Sequence, residues 1–151
     1  MNEQIISALK LIIAKYDKPL AIQVEELTRN ETSHFKSEGW VNNLCPGMEA
    51  FKEFQPYGWN IVDEFWKDNP QYAPVKVVDE VENNSAMLNS RGLRHFIKFP
   101  TVEAAFMTVA FIINSRGGDG GSWFSINDDA ARKKYNDNLK LIVPRFVNSI
   151  V

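Results

Sequence analysis

The chain is poor in residues that cross-link or coordinate. Cys45 is the single cysteine among 151 residues, so no internal disulfide forms and the fold needs no oxidising compartment. With only His34 and His95 beside it, the soft ligands are too few for a structural zinc site, and no metal or organic cofactor is expected. An excess of one charge is missing too. The 17 Lys and Arg against 19 Asp and Glu leave a net charge of −2 and a pI near 5.7, which argues against a nucleic-acid binder that works by neutralising phosphates. No long apolar run exists: IISALKLIIA, Ile5 to Ala14, is broken by Lys10 and is too short to span a bilayer. It has no basic segment before it and no small-residue cleavage pattern after it, so it reads as a core helix rather than a signal peptide. The glycine-rich RGGDGG, Arg116 to Gly121, lacks the Gly-Lys-Ser/Thr ending of a phosphate loop. A nucleophile elbow, internal repeats and low-complexity tails are all absent.

What is present suits one globular domain, with 44% apolar and 24% charged residues and length enough for a substantial core. Helical spacing dominates. An amphipathic helix is expected over Glu3 to Tyr16, and a second from Pro19 to about Thr32, with Pro19 in its first turn. Ser37 to Gly47 reads as polar and irregular, punctuated by Gly39, Pro46 and Gly47. Short helices are expected over Met48 to Phe54 and Trp59 to Lys67, ended by Pro70. Val75 to Glu82 and Leu93 to Phe99 read as a small β-hairpin or extended flap. Thr101 is placed to cap an almost wholly apolar helix, Val102 to Asn114, which predicts a buried central helix. The last helical region, Asp128 to Ile150, puts Tyr135, Leu139, Val143, Phe146 and Ile150 on one face, with Pro144 as a kink or break.

One position stands out within the second helix. Leu20, Val24, Leu27 and Glu31 fall on a single helical face, so a carboxyl group closes an apolar stripe. Burying it ionised and unpaired is expensive. Desolvation would raise its pKa and keep it protonated, as a general acid requires. The competing structural reading is that Glu31 ends the helix and pairs with Arg29 or Lys36.

Glu31 opens the run ETSHFKS, Glu31 to Ser37, which resembles the glutamate-centred motif of the glucosaminidase branch of the lysozyme superfamily, whose members cleave peptidoglycan. Further pieces follow in the family's order. Asn42 to Met48, NNLCPGM, is similar to its cleft-lining Asn-Asn-Leu-Phe-Gly-Ile segment. VKVVDEVENN, Val75 to Asn84, sits where the family has a hairpin with a second acid. FIKFPTVE, Phe96 to Glu103, resembles the entry to its next helix, and Tyr135 begins a segment like one with a cleft-facing tyrosine. The likeness spans roughly Leu20 to Ile150. It departs at Ser33-His34-Phe35, where the family carries Gly-Trp-Gly, and at Cys45-Pro46, where it carries Phe, which marks a distant branch of phage or prophage type.

The resemblance implies a mainly α (α+β), lysozyme-like helical domain with a small β-hairpin flap over a cleft. The activity it implies is hydrolysis of β-1,4 bonds between the amino sugars of a peptidoglycan strand, with Glu31 as proton donor. Glycoside cleavage commonly uses two carboxyl groups. Glu80 is the favoured second acid, with Asp79 and Glu82 as alternatives, a solvated hairpin edge as the structural reading of all three, and the substrate's own N-acetyl group as another way to stabilise the cation. Asn43, Tyr57, Trp123, Tyr135 and His34 are candidates for binding the sugar, the aromatic rings by stacking, with Trp59 a weaker one; core packing is the ordinary role of such rings. Without a signal peptide the protein is expected to stay in the cytoplasm until a holin or lysis releases it, or to travel with a virion. The rival readings are a non-catalytic, lysozyme-like phage structural or wall-binding protein, and a helical interaction domain whose glutamate is structural.

Overall fold

A computed structural model describes residues 1–48, 60–79, 95–120 and 128–150. The protein is mainly helical. Helices α1 (Asn2–Lys15) and α2 (Lys18–Glu31) are joined by a tight break at Tyr16 and Asp17. The Asp17 side chain accepts a hydrogen bond from the backbone N–H of Leu20 at 2.8 Å, and Pro19 occupies the first turn, which together start α2 cleanly. Then come α3 (Glu38–Asn43), α4 (Asn60–Asp68), a 3₁₀ turn (Pro70–Tyr72), strands β1 (Lys76–Asp79) and β2 (His95–Lys98), and helices α5 (Val102–Arg116), α6 (Asp129–Leu139) and α7 (Arg145–Asn148).

Helix α5 is the centre. Thr101 caps it through a 3.0 Å bond from the Ala104 N–H, and ten of its residues from Val102 to Ile113 are buried. Its apolar surface wraps nearly all round, so neighbours must cover it on several sides. Helix α1 covers it with Ile5, Ala8, Leu9 and Ile12, and α2 with part of the face holding Leu20, Val24 and Leu27. The one polar side chain buried in α5, Thr108, accepts from the Trp66 indole N–H at 3.0 Å and donates to the Ala104 carbonyl at 2.8 Å. That satisfies both groups in the core.

The strands pair antiparallel, Lys76 opposite Lys98 and Asp79 opposite His95. Strand β2 and the residue after it also hold the segment that follows α3, since the N–H of Ile97 donates to Met48 and that of Phe99 to Asn43, both at 3.0 Å. The chain between the strands, including Glu80 and Glu82, lies outside the described residues, as do Tyr57, Trp59, Trp123 and all but the first residue of the Met48 to Phe54 helix.

Two expectations are corrected. Ser37 to Gly47 is not irregular throughout: Ser37 caps α3 by accepting from the Trp40 N–H at 3.3 Å, and Leu44 ends it with a left-handed backbone. The final region breaks at Pro144 as expected, into two helices separated by Lys140 to Pro144. Tyr135, Leu139, Phe146 and Ile150 still pack on the core, but Val143 does not share their face and is 55% exposed. A short helix can orient independently once proline interrupts the backbone hydrogen-bond ladder.

What fixes α7 is Glu25. Its carboxylate, fully buried, accepts from the backbone N–H groups of Phe146 at 3.0 Å and Val147 at 2.8 Å, at the start of α7. Arg29 donates to the same carboxylate at 2.7 Å. The Arg29 guanidinium lies over the rings of Phe35 and Phe146, 5.0 and 4.7 Å from their centroids. Arg29 is thus committed to Glu25, four residues before it, rather than to Glu31.

Candidate active site around Glu31

Glu31 is the last residue of α2. Its side chain is largely withdrawn from solvent, and burial raises its pKa above the ordinary carboxyl value, opposed by a hydrogen bond from Tyr135. Among the described residues no cation pairs with it, so the expected alternative of an ion pair to Arg29 or Lys36 does not form. Desolvation is left without a compensating positive charge, which favours the neutral acid.

Tyr135, on α6, donates its phenolic O–H to Glu31 Oε1 and accepts from the Asn30 amide at 3.3 Å. A phenol that accepts from Asn30 has its own proton directed at Glu31. Burial first, and then the neighbouring carboxyl, push the Tyr135 pKa far above its usual value, so it acts as a fixed donor. With Oε1 occupied as acceptor, the acidic proton of neutral Glu31 belongs on Oε2.

Gly47 faces that second oxygen. A Cβ built at this position would stand 2.9 Å from Glu31 Oε2 and 3.2 Å from Glu31 Cβ, and the backbone there has φ +79°. Both the close approach and the left-handed backbone call for glycine. Gly47 therefore packs directly against Oε2 and is itself exposed. Cys45, two residues earlier, is buried, and burial first, with the Glu31 charge as a lesser cause, raises its thiol pKa to about 11. It stays a neutral thiol beside the acid.

Beyond Glu31 the backbone is strained. Ser33, His34 and Phe35 have φ of +50°, +56° and +68°, three consecutive left-handed residues that are not glycine. Such residues cost on the order of 1–2 kcal/mol each and persist where surrounding structure holds them. Here the Thr32 carbonyl accepts from both the Lys36 and Ser37 N–H groups at 2.9 Å, and Thr32 Oγ1 accepts from the Phe35 N–H at 2.9 Å. The Phe35 ring is locked against Trp40, Phe106 and Phe146, at centroid distances of 5.5, 6.2 and 6.0 Å. His34 and Ser33 are left exposed at the tip of this turn.

The structure therefore brings Glu31 and Tyr135 into direct contact and places exposed His34 on the turn that follows. Asn43 is buried at the end of α3, with its carbonyl holding Phe99. Glu80, Tyr57 and Trp123 fall outside the described residues, as does the side chain of Asp79. Asn30, which orients the phenol, was not singled out from sequence; Gly47 was read there as a breaker within a segment similar to a cleft-lining one, without its contact with Glu31. No helix among the described residues is long and apolar enough to cross a membrane. No protein-family model, curated protein or solved structure matches this chain.

Proposed function

We propose that this chain is a lysozyme-like glycoside hydrolase that cuts the β-1,4 glycan backbone of peptidoglycan, with Glu31 as general acid. The observation that carries the reading is the state of Glu31: a carboxyl group desolvated at a helix end, with no cation beside it among the described residues and one oxygen held by Tyr135. A structural glutamate at such a place would be expected to find a cation, as Glu25 does with Arg29. In the proposed reaction Oε2 of Glu31, beside Gly47, gives its proton to the glycosidic oxygen as the bond to the anomeric carbon breaks. Tyr135 then stabilises the carboxylate that remains, because its hydrogen bond favours the ionised form. Water adds to the anomeric carbon, and its released proton restores Glu31. The motif order from Glu31 to Tyr135 supports the same class. A second acid at Glu80 and a β-hairpin flap over the cleft belong to this proposal, with stacking by Tyr57 and Trp123, and so do release by a holin or lysis and carriage on a virion.

The test is digestion of purified peptidoglycan followed by mass spectrometry of the soluble products. New reducing ends on one amino sugar, formed by wild type and not by Glu31→Gln, are the expected result and name the bond cut. Soluble fragments made equally by both proteins would remove Glu31 from the chemistry.

A further inference from the structure

A third carboxyl group of α2 is buried beside Glu25, on a different side of the helix from Glu31. Glu26 is 6% exposed and, among the described residues, accepts no hydrogen bond and forms no direct ion pair. Five residues separate it from Glu31, which turns the two about 140° apart around the helix. It lines a cavity of about 220 Å³ between α2 and α6, together with Gln23, Asp119, Asn136, Leu139 and Lys140. The cavity is built rather than incidental. The Gln23 side-chain oxygen accepts from the Gly120 N–H at 3.1 Å, which ties the loop after α5 to α2. A Cβ at Gly120 would lie 2.1 Å from Leu139 Cδ1, so only glycine lets that loop close against α6. Asp119 of the RGGDGG run is part of the cavity lining.

The lining narrows what the cavity takes. Its volume falls below the roughly 300–1,000 Å³ of pockets for drug-sized ligands, so the occupant is small. Polar groups surround it, which disfavours an apolar guest. Two carboxyl groups disfavour a simple anion, and Lys140, whose positive charge acts on Glu26, disfavours a simple organic cation. Among the described residues no group of three His, Cys, Asp or Glu side chains could hold a metal ion. A molecule with both charges answers each of these constraints.

We propose that the cavity between α2 and α6 binds a small zwitterion of amino-acid size, its ammonium group on the buried Glu26 carboxylate beside Asp119 and its carboxylate toward Lys140. The inference is independent of the glycan reading, because it uses none of the groups around Glu31. Binding is proton-linked: burial first, then Glu25 on the same helix, raise the Glu26 pKa to about 7, while Lys140 opposes them. Asp119, on the loop after α5, also lines the cavity. The ammonium group would bind the ionised form and draw the proton off.

Glycine, glycinamide and acetate are the probes, titrated into the full chain and followed by amide NMR. Glycine is expected to give saturable shifts at Gln23, Glu26, Gly120 and Lys140. Glycinamide and acetate, each lacking one charge, should bind at least about tenfold more weakly. Glu26→Gln, nearly the same shape, and Lys140→Met should each weaken glycine by at least about tenfold. Wild-type affinity should rise from about pH 6 to about pH 8, and this rise should vanish in Glu26→Gln. A folded wild type that shows no saturable shift with glycine would overturn the proposal. So would acetate or glycinamide binding as tightly as glycine, or a folded Glu26→Gln that retains wild-type affinity.

Discussion

Glu31 and Glu25 sit on the same helix, six residues apart, and show two fates of a buried carboxyl group. Glu25 meets a guanidinium and two backbone N–H groups, and so can be buried as a charge. Glu31 meets a phenol and a glycine, which leaves the neutral acid favoured. Two consequences belong at this scale. Tyr135→Phe removes the hydrogen bond that lowers the Glu31 pKa, so the alkaline limb of the peptidoglycan pH–rate profile should move to higher pH while the maximal rate falls. A limb that stays in place would mean that another group titrates there. Gly47→Ala forces a methyl group to within 2.9 Å of Oε2 on a left-handed backbone, at about 1–2 kcal/mol. Activity should drop well beyond what a loss of that size in thermal stability explains. The stripe Leu20, Val24, Leu27, Glu31 already placed that carboxyl group on the core-facing side of α2, because a helical period is fixed by geometry. Asn30 was not legible, since its contact with Tyr135 bridges 105 positions.

Elements were legible where local chemistry decides them. Asp17 and Pro19 mark the start of α2, and Thr101 that of α5, because a cap is a bond between residues three apart. The segment after Ser37 misled because Gly39 and two asparagines speak for a loop, whereas burial of Trp40 pulls Glu38–Asn43 into a helix. Tertiary packing overrides weak propensity in so short a piece. Helix α7 is the extreme case: four residues have no stability of their own, and Glu25 supplies the anchor from α2. Glu25→Ala should therefore free α7 and leave Arg29 buried without its partner, lowering unfolding free energy by about 3–5 kcal/mol in a urea titration. Hydrogen exchange should speed up at Phe146 and Val147. A change under about 1 kcal/mol would show that the pair contributes little.

Among the described residues two carboxyl groups, Glu26 and Glu31, have pKa values raised on folding. Unfolded, both would lose their protons near pH 4.5. Between that point and their folded values, the native protein binds more protons than the unfolded chain, so stability falls as pH rises. For Glu26 the window runs from about 4.5 to about 7. Melting temperature should decline from about pH 5 to about pH 7.5, and Glu26→Gln should flatten part of that slope. A melting temperature rising across the same range would show that these groups are ionised in the native state. The mainly helical architecture was readable from apolar spacing, and the pairing of β1 with β2 from two valine- and phenylalanine-bearing segments. How helices α2 and α6 meet, and hence the closeness of Tyr135 to Glu31, depends on long-range packing that no local pattern encodes. The most direct measurement is the rate of turbidity loss of purified peptidoglycan with wild type and Glu31→Gln side by side, with circular dichroism confirming that both are folded. Clearing by wild type, with a folded Glu31→Gln slower by at least about a hundredfold, is the expected result. Equal clearing by both proteins, or none by wild type on several wall types, would contradict Glu31 as the acid of a glycan-cutting enzyme.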